Sequence, residues 1–312
     1  MRYNATPMNT LPKIRVWFTG FWPDFNPERN YFINLLRQGY NVELSEKPDF
    51  VIYSVLERRI RRFQCPRIFY SGENVRPNFS ECDFAFSYDY IDNPDHYRLP
   101  LYVLYGNLND LIRKPEEDIN DLACTKVKFC NFVYSNSRHG IGTKKRFDLF
   151  QRLSKYKRVD SGGRYANNIG GPVKDKLAFI RDYKFTIAFE NSEYPGYTTE
   201  KIFEPMQVRS VPIYWGNPLV TRDFNTRSFV NAYDYPNLDS LVEAIISLDK
   251  NKEAYKTMLR QPYLNGNTVS NDLEPPSVLR QFDYIFNSKK MMRFQDQSTK
   301  FFWFPFIYKK GK

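Results

Sequence analysis

The densest chemical signal in this chain is the run Phe185-Thr186-Ile187-Ala188-Phe189-Glu190-Asn191-Ser192, followed by Tyr197-Thr198-Thr199-Glu200-Lys201-Ile202-Phe203. The first part reads as a buried strand, Pro195 and Gly196 make a turn, and a helix opens behind Thr198 or Thr199, either of which can cap it. The first amides of a helix lack partners and its dipole is positive there, so the place favours an anion, phosphate above all. Lys201 in the first turn adds a mobile positive charge. On these residues alone, an anion site and an ordinary strand–turn–helix with Glu200 and Lys201 on a solvated face stand level. Pro205 is expected to end or kink the helix unless the helix starts late enough to place it near the first turn. A further strand, Val211–Trp215, runs into Gly216-Asn217-Pro218. Tyr214 or Trp215 could stack on a flat ring, although core packing is the commoner fate of such side chains.

Other residue types bound the chemistry. Glu73, in the turn Ser71-Gly72-Glu73-Asn74 after the strand Arg67–Tyr70, is by itself an ordinary turn acid. Lys144 and Lys145 read as a solvated basic helix face. Cys65, Cys82, Cys124 and Cys130 form no CxxC pair, and His96 and His139 are the only histidines, so free thiols are expected and an imidazole-rich metal site is not. No Asp-x-Asp pair occurs.

The elements that must hold these residues alternate. Strands are expected at Lys13–Thr19, Tyr40–Leu44, Phe50–Val55, Arg67–Tyr70 and Phe84–Ser87, with a helix opening at Asn26-Pro27-Glu28 and closed by Gly39. The charged stretch from Leu111 to Lys126 has no apolar period and marks a domain junction. Beyond it, Phe129–Ser135 is strand-like, Lys144–Leu153 is a basic amphipathic helix, Val173–Tyr183 is a second helix, Lys184–Phe189 a strand, Thr199–Arg209 a helix, and Leu238–Leu248 a helix capped by Asn237. Such alternation implies parallel sheets covered by helices, with ligand sites beyond the carboxyl ends of the strands.

Composition sets the class. The chain has 312 residues, 46 Lys+Arg against 35 Asp+Glu, a net charge of +11, and 17% aromatics including 27 Phe and 23 Tyr. Length suggests two domains, at about 150 residues each. Base and aromatics together point to an anionic partner: nucleic acid, an acidic membrane face or a phosphorylated small molecule. No apolar stretch approaches the roughly 20 residues of a membrane-crossing helix. Met1 to Lys13 has no apolar core of a signal peptide.

The run Phe185 to Pro218 (FTIAFENSEYPGYTTEKIFEPMQVRSVPIYWGNP) resembles the α-1,3/α-1,4-fucosyltransferases of glycosyltransferase family 10. Two further patches resemble the same family in the same order: Phe69-Tyr70-Ser71-Gly72-Glu73-Asn74 with Pro77-Asn78-Phe79, and Arg146 through Leu153 to Asp160-Ser161-Gly162-Gly163. Together they span roughly residues 65 to 235; the first 60 residues and those after about Asn265 match only loosely.

The resemblance implies an α/β, GT-B fold: two Rossmann-like domains with parallel sheets facing across a cleft. Residues 1–125 would form an acceptor-binding domain with the catalytic base, 126–285 a GDP-fucose-binding domain, and 286–312 a basic aromatic tail. It implies inverting transfer from GDP-β-L-fucose to a GlcNAc or Glc hydroxyl in an acceptor such as N-acetyllactosamine, giving an α-1,3 linkage in Lewis-type glycans. An α-1,4 linkage or another nucleotide sugar is the alternative. Glu73 would be the general base, and Arg146, Asn191, Tyr197, Glu200 and Lys201 would bind the donor, with Arg146 and Lys201 on the diphosphate. No cofactor is implied beyond the donor substrate, and no metal.

Trp22 and Phe25, in the loop Gly20–Asn26, could stack on a sugar or simply pack. The tail, with Phe301, Phe302, Trp303, Phe304 and Phe306 before Lys309, Lys310 and Lys312, is a candidate for peripheral contact with an anionic membrane, or packs back on the domains. A cytoplasmic enzyme, peripheral on the inner membrane, is the expectation. A nucleic-acid-binding protein is the remote alternative; no RNP, KH or zinc signature supports it, and no nucleic-acid partner is expected.

Overall fold

Parallel strands joined by crossover segments build both halves of the chain, which divides into two units. The computed structural model describes residues 11–137, 140–288 and 290. His139 and the tail from residue 291 lie outside the described residues; Phe286, expected to open the tail, instead ends a helix.

The first unit takes residues up to Ser87, then Ile91–Leu99, and the chain from Asn271 onward. Its strands are β1 (Lys13–Thr19), β2 (Asn41–Leu44), β3 (Phe50–Tyr53), β4 (Arg67–Tyr70), β5 (Phe84–Ser87) and β6 (His96–Arg98), in the spatial order β2-β1-β3-β4-β5-β6, all parallel. Helix α1 (Tyr31–Leu36) joins β1 to β2. It starts later than the sequence suggests. Asn26 does accept from the amides of Glu28 and Arg29, but these close only a turn. Asn30 then caps the helix, accepting from Ile33 N at 3.0 Å.

The second unit takes Tyr88–Tyr90 and Pro100–Ser270. It contains α2 (Ile119–Thr125), β7 (Lys128–Phe132), α3 (Ile141–Tyr156), β8 (Val159–Ser161), α4 (Lys176–Ile180), β9 (Tyr183–Phe189), α5 (Glu200–Gln207), β10 (Val211–Trp215), β11 (Val230–Asn231), α6 (Leu238–Lys250) and α7 (Lys252–Leu259). The sheet order is β11-β10-β9-β7-β8, all parallel. Its core runs from Phe129, Phe132, Leu149 and Leu153 to Phe185, Ile187, Trp215 and Leu241. Each such side chain contributes about 1.5–3 kcal/mol by leaving water.

Three expectations change here. The charged stretch before Lys126 is folded inside the second unit, where Asp118 caps α2 through the amides of Asn120 and Asp121. The helix expected at Val173–Tyr183 shortens to Lys176–Ile180, because Tyr183 opens β9, where its buried ring sends its hydroxyl to Asp160 at 2.7 Å. The second unit ends at Ser270 rather than 285, because the last described helix, α8 (Pro275–Phe286), belongs to the first unit. Phe282 stacks on Phe86 at 4.9 Å and Phe286 meets Phe50 at 4.7 Å, so α8 covers one face of the first sheet. The opposite face buries Val51, Tyr53 and Phe69 under Ile60.

Candidate active site

In the second sheet, β7 to β8 runs one way and the chain then crosses back to place β9 on the other side of β7. The carboxyl ends of β7 and β9 therefore flank a topological switch point, where open parallel sheets hold ligands. The segments leaving those two ends carry the donor candidates.

Arg146 lies on α3 and is fully buried, at 0% exposure. Its Nη2 donates to the carbonyl of Asn136, beyond β7, at 2.6 Å, and its Nη1 to Asn191 Oδ1, beyond β9, at 2.8 Å. One guanidinium thus ties both sides of the switch point. It stacks over the Tyr134 ring at 3.9 Å, and Tyr134 in turn donates its hydroxyl to the carbonyls of Ile187 and Phe189. Burial pushes the Arg146 pKa down, against Tyr134 and Glu190, which push it up. An arginine remains charged regardless.

The approach of α3 to this point depends on glycine. A Cβ on Gly142 would stand 2.0 Å from the Glu190 carbonyl and 2.8 Å from the Trp215 ring. With none, the Gly142 amide donates to the Asn191 carbonyl at 3.1 Å and draws the helix onto the end of β9.

The turn after β9 leads into α5. Thr199, not Thr198, is the cap, its hydroxyl accepting weakly from Lys201 N at 3.5 Å. Asn217 fixes the turn from the next strand's loop: it accepts from Gly196 N at 2.7 Å and donates to Thr198 Oγ1 at 2.9 Å. Pro205 sits inside α5, which ends two residues later at Gln207. Tyr197 is buried, its ring 5.2 Å from that of Tyr88.

Lys201 Nζ meets three oxygens: Thr199 Oγ1 at 2.9 Å, Glu190 Oε2 at 3.2 Å and Glu200 Oε1 at 3.3 Å. Burial works against the ammonium, but Glu190 and then Glu200 outweigh it and hold its pKa well above the usual lysine value. Glu200 is pushed up by burial and down, more strongly in sum, by Lys201 and Lys176, so it stays below the usual carboxylate range. Lys176 also pairs with Glu204, one turn further along α5.

The structure thus brings Arg146, Asn191, Tyr197, Glu200 and Lys201 to one end of the second sheet. Tyr214 and Trp215 are core residues, at 0% and 4% exposure, and Lys145 lies half-buried over Trp215 at 4.4 Å while Lys144 is exposed. Sequence reasoning gave no role to Glu190, Asn217 or Tyr134. Glu190 and Asn217 each follow a strand within two residues of its carboxyl end, the one signal that could have marked them. Among the described residues, no group of three or more His, Cys, Asp or Glu is placed to hold a metal ion.

Glu73 belongs to the first unit, in the loop after β4. Its side chain is exposed while its backbone is fixed: Glu73 N donates to Ser71 Oγ at 3.2 Å and its carbonyl accepts from Ser71 Oγ at 2.5 Å. In the same unit, Phe21 stacks on Phe25 at 4.0 Å and on Tyr70, the last residue of β4, at 6.4 Å. Trp22 stands against Phe25 edge-on and keeps 36% of its surface exposed. The loop is anchored where Leu56 N donates to the Gly20 carbonyl at 2.9 Å and Thr19 Oγ1 to Glu57 at 2.6 Å.

Comparison with known proteins gives a consistent result. Residues 16–105 match the model of the alpha-(1,3)-fucosyltransferase FucT N-terminal domain, and residues 123–261 that of the glycosyltransferase family 10 (fucosyltransferase) C-terminal part. An alpha-(1,3)-fucosyltransferase FucT of Helicobacter pylori is 33% identical over 81% of this chain and 61% of its own length. A 3-galactosyl-N-acetylglucosaminide 4-alpha-L-fucosyltransferase of Bos taurus is 27% identical over 51% of this chain and 43% of its own. The chain therefore spans less than two thirds of these relatives. A crystal structure of an alpha1,3-fucosyltransferase with GDP-fucose superposes with a TM-score of 0.76 at 27% identity, over 92% of this chain and 94% of that one.

Proposed function

Because the chain belongs to the fucosyltransferases of glycosyltransferase family 10 and has their α/β, GT-B class of fold, we propose that it transfers L-fucose from GDP-β-L-fucose to a sugar hydroxyl with inversion at the anomeric carbon. The acceptor we assign is a Galβ1-4GlcNAc-type unit such as N-acetyllactosamine, fucosylated on GlcNAc or Glc in an α-1,3 linkage. The alternative is the α-1,4 linkage, favoured by the Bos taurus relative.

One observation carries the reading: a buried arginine and a lysine at a helix start are tied to the adjacent residues Asn191 and Glu190, at the switch point of the second sheet. The leaving diphosphate gains negative charge as the glycosidic bond breaks. Arg146 offers a planar, two-pronged donor for it, and Lys201 a compact charge in the first turn of α5. Glu200 suits the vicinal hydroxyls of a sugar, and Asn191 and Tyr197 complete the donor's polar surroundings. No step is assigned to a metal ion.

Inverting transfer also needs a base for the acceptor hydroxyl. Glu73 takes that part: it is exposed, and its loop is held rigid from below by Ser71. The exposed face of Trp22, in the loop after β1, is the surface we assign to acceptor stacking. Peripheral membrane contact through the C-terminal tail stays a proposal on sequence grounds. No helix among the described residues is long and apolar enough to cross a membrane.

The test is an assay with GDP-fucose against Galβ1-4GlcNAc, Galβ1-3GlcNAc and lactose, with linkage analysis of the product. The expected product is α-1,3-fucosylated on the first or third acceptor; preference for a uridine donor would overturn the reading. Glu73→Gln is expected to bind GDP normally and lose at least about 100-fold in kcat. Near-normal turnover would remove Glu73 from the base role.

A further inference from the structure

Among the described residues, Glu190 is a fully buried acid at the switch point that the proposed transfer does not use. Its exposure is 0%, yet its carboxylate oxygens are both engaged: Oε1 accepts from Thr199 N at 2.8 Å, and Oε2 from Thr199 Oγ1 at 2.8 Å and from Lys201 Nζ at 3.2 Å. Those bonds hold the side chain, and Gly216, at φ +147°, leaves it room: a Cβ there would stand 2.4 Å from Glu190 Cβ and Cγ.

A glutamine would satisfy the Thr199 amide at this position without a buried charge. A carboxylate there carries a desolvation cost that a neutral amide avoids, so the charge itself needs a reason. The reason lies in what faces it. Lys201 has three ammonium hydrogens and three oxygens around it, two of them from Glu190 and Glu200. A diphosphate can gain Lys201 only by taking a hydrogen from one of these acceptors. Glu200 is partly exposed and on the same helix turn; Glu190 is fixed. The fixed partner therefore decides where the ammonium stands, and its charge opposes any move of Lys201 toward a diphosphate.

We propose that Glu190 is a positioning residue that holds Lys201 at the start of α5 and competes with the nucleotide diphosphate for it. This rests on the GDP-fucose reading above. The competition keeps Lys201 from binding the ground-state diphosphate as tightly as it could, and leaves the ammonium aligned for the charge that develops on bond cleavage. Other charged or titratable groups that face Glu190 are Glu200, Arg146, Tyr134 and Tyr214.

The test compares the full chain with Glu190→Gln and Glu190→Asp. Calorimetric titration with GDP is expected to show about three- to tenfold tighter binding to Glu190→Gln, while kcat falls about tenfold or more. A carboxylate with a purely structural part would give the opposite sign, weaker GDP binding with lower thermal stability, and would overturn the proposal. So would unchanged binding and turnover. Glu190→Asp keeps the charge and withdraws it by one methylene; it is expected to lie between the other two in kcat, and serves if Glu190→Gln does not fold.

A nucleotide-free measurement separates this proposal from the donor reading. By NMR of ¹³Cε-labelled lysine, Lys201 is expected to titrate well above the usual lysine value in the wild type and to move down toward it in Glu190→Gln. If wild-type chain binds no GDP, the donor reading fails, and the Lys201 titration still decides whether Glu190 holds the ammonium. An unmoved Lys201 titration overturns that hold.

Discussion

Arg146 shows at the scale of one residue why type matters more than charge at this site. Its guanidinium donates to two different chain segments, a carbonyl after β7 and an amide side chain after β9. A lysine would bring the charge to the same place with a single nitrogen and could not hold both in one plane. Arg146→Lys is therefore expected to raise the KM for GDP-fucose by about tenfold or more, with a smaller change in the KM for acceptor. Steady-state kinetics at saturating acceptor checks this, and a change under about twofold would take Arg146 out of the donor site. The contrast with Lys144 is instructive: two residues earlier on the same helix, it is exposed, and composition alone cannot tell the two apart.

At the scale of elements, the site depends on how closely α3 and α5 approach their strands. Gly142→Ala adds one methyl group where the Glu190 carbonyl stands 2.0 Å away. The backbone cannot yield cheaply, so the variant is expected to lose about 1–3 kcal/mol in urea denaturation and to bind GDP more weakly, because Arg146 shifts with the helix. A second device holds the far ends of the helices. Lys126 is buried, and its Nζ donates to the carbonyl of Arg181, just past α4, at 2.6 Å and to that of Val208, just past α5, at 2.7 Å. A cation suits two helix C-termini, which carry unpaired carbonyls and the negative end of the dipole. Burial nevertheless draws its pKa down to about 8. The folded chain thus holds this proton less tightly than the unfolded chain, whose lysine titrates near ~10.4. The penalty is full below about pH 8 and is relieved as pH rises, so stability contributed by this group increases between about pH 8 and 10. Urea midpoints across that window should show the rise in wild type and not in Lys126→Met. Lys126→Met should also be less stable at neutral pH, because two buried carbonyls lose their donor.

At the scale of the whole molecule, two sheets have two separate cores. The first is closed by a helix that arrives from the far end of the described chain, α8, with Phe282 on Phe86 and Phe32. Calorimetry is expected to resolve two transitions. Phe282→Ala should lower one and Leu149→Ala, in the second core, the other, each by about 2–5 kcal/mol. If both variants moved a single common transition, the two cores would be one cooperative unit. This return of the chain explains the misplaced boundary at residue 285. Apolar spacing in Pro275–Phe286 says that the helix buries a face, and nothing in it says against which sheet.

What the sequence alone determined is local and chemical. Alternation of apolar residues placed β1, β4, β5, β9 and β10 within a residue or two, because each pairs through backbone groups whose side-chain period is fixed. The turn between β9 and α5 reads equally as an anion site or an ordinary strand–turn–helix, and Thr199 as one of two caps, because helix starts carry their own rules. Tertiary structure decided what these places hold. Only folding shows that Arg146 reaches across to Asn136 and Asn191, since the partners lie 10 and 45 positions away. Only folding shows Glu190 packed against Gly216 and paired with Lys201, and Trp215 buried rather than presented to a ring. The physical reason is the same throughout. Hydrogen-bond period and capping act within a few residues, whereas burial and charge pairing depend on which distant segments the sheet order brings side by side.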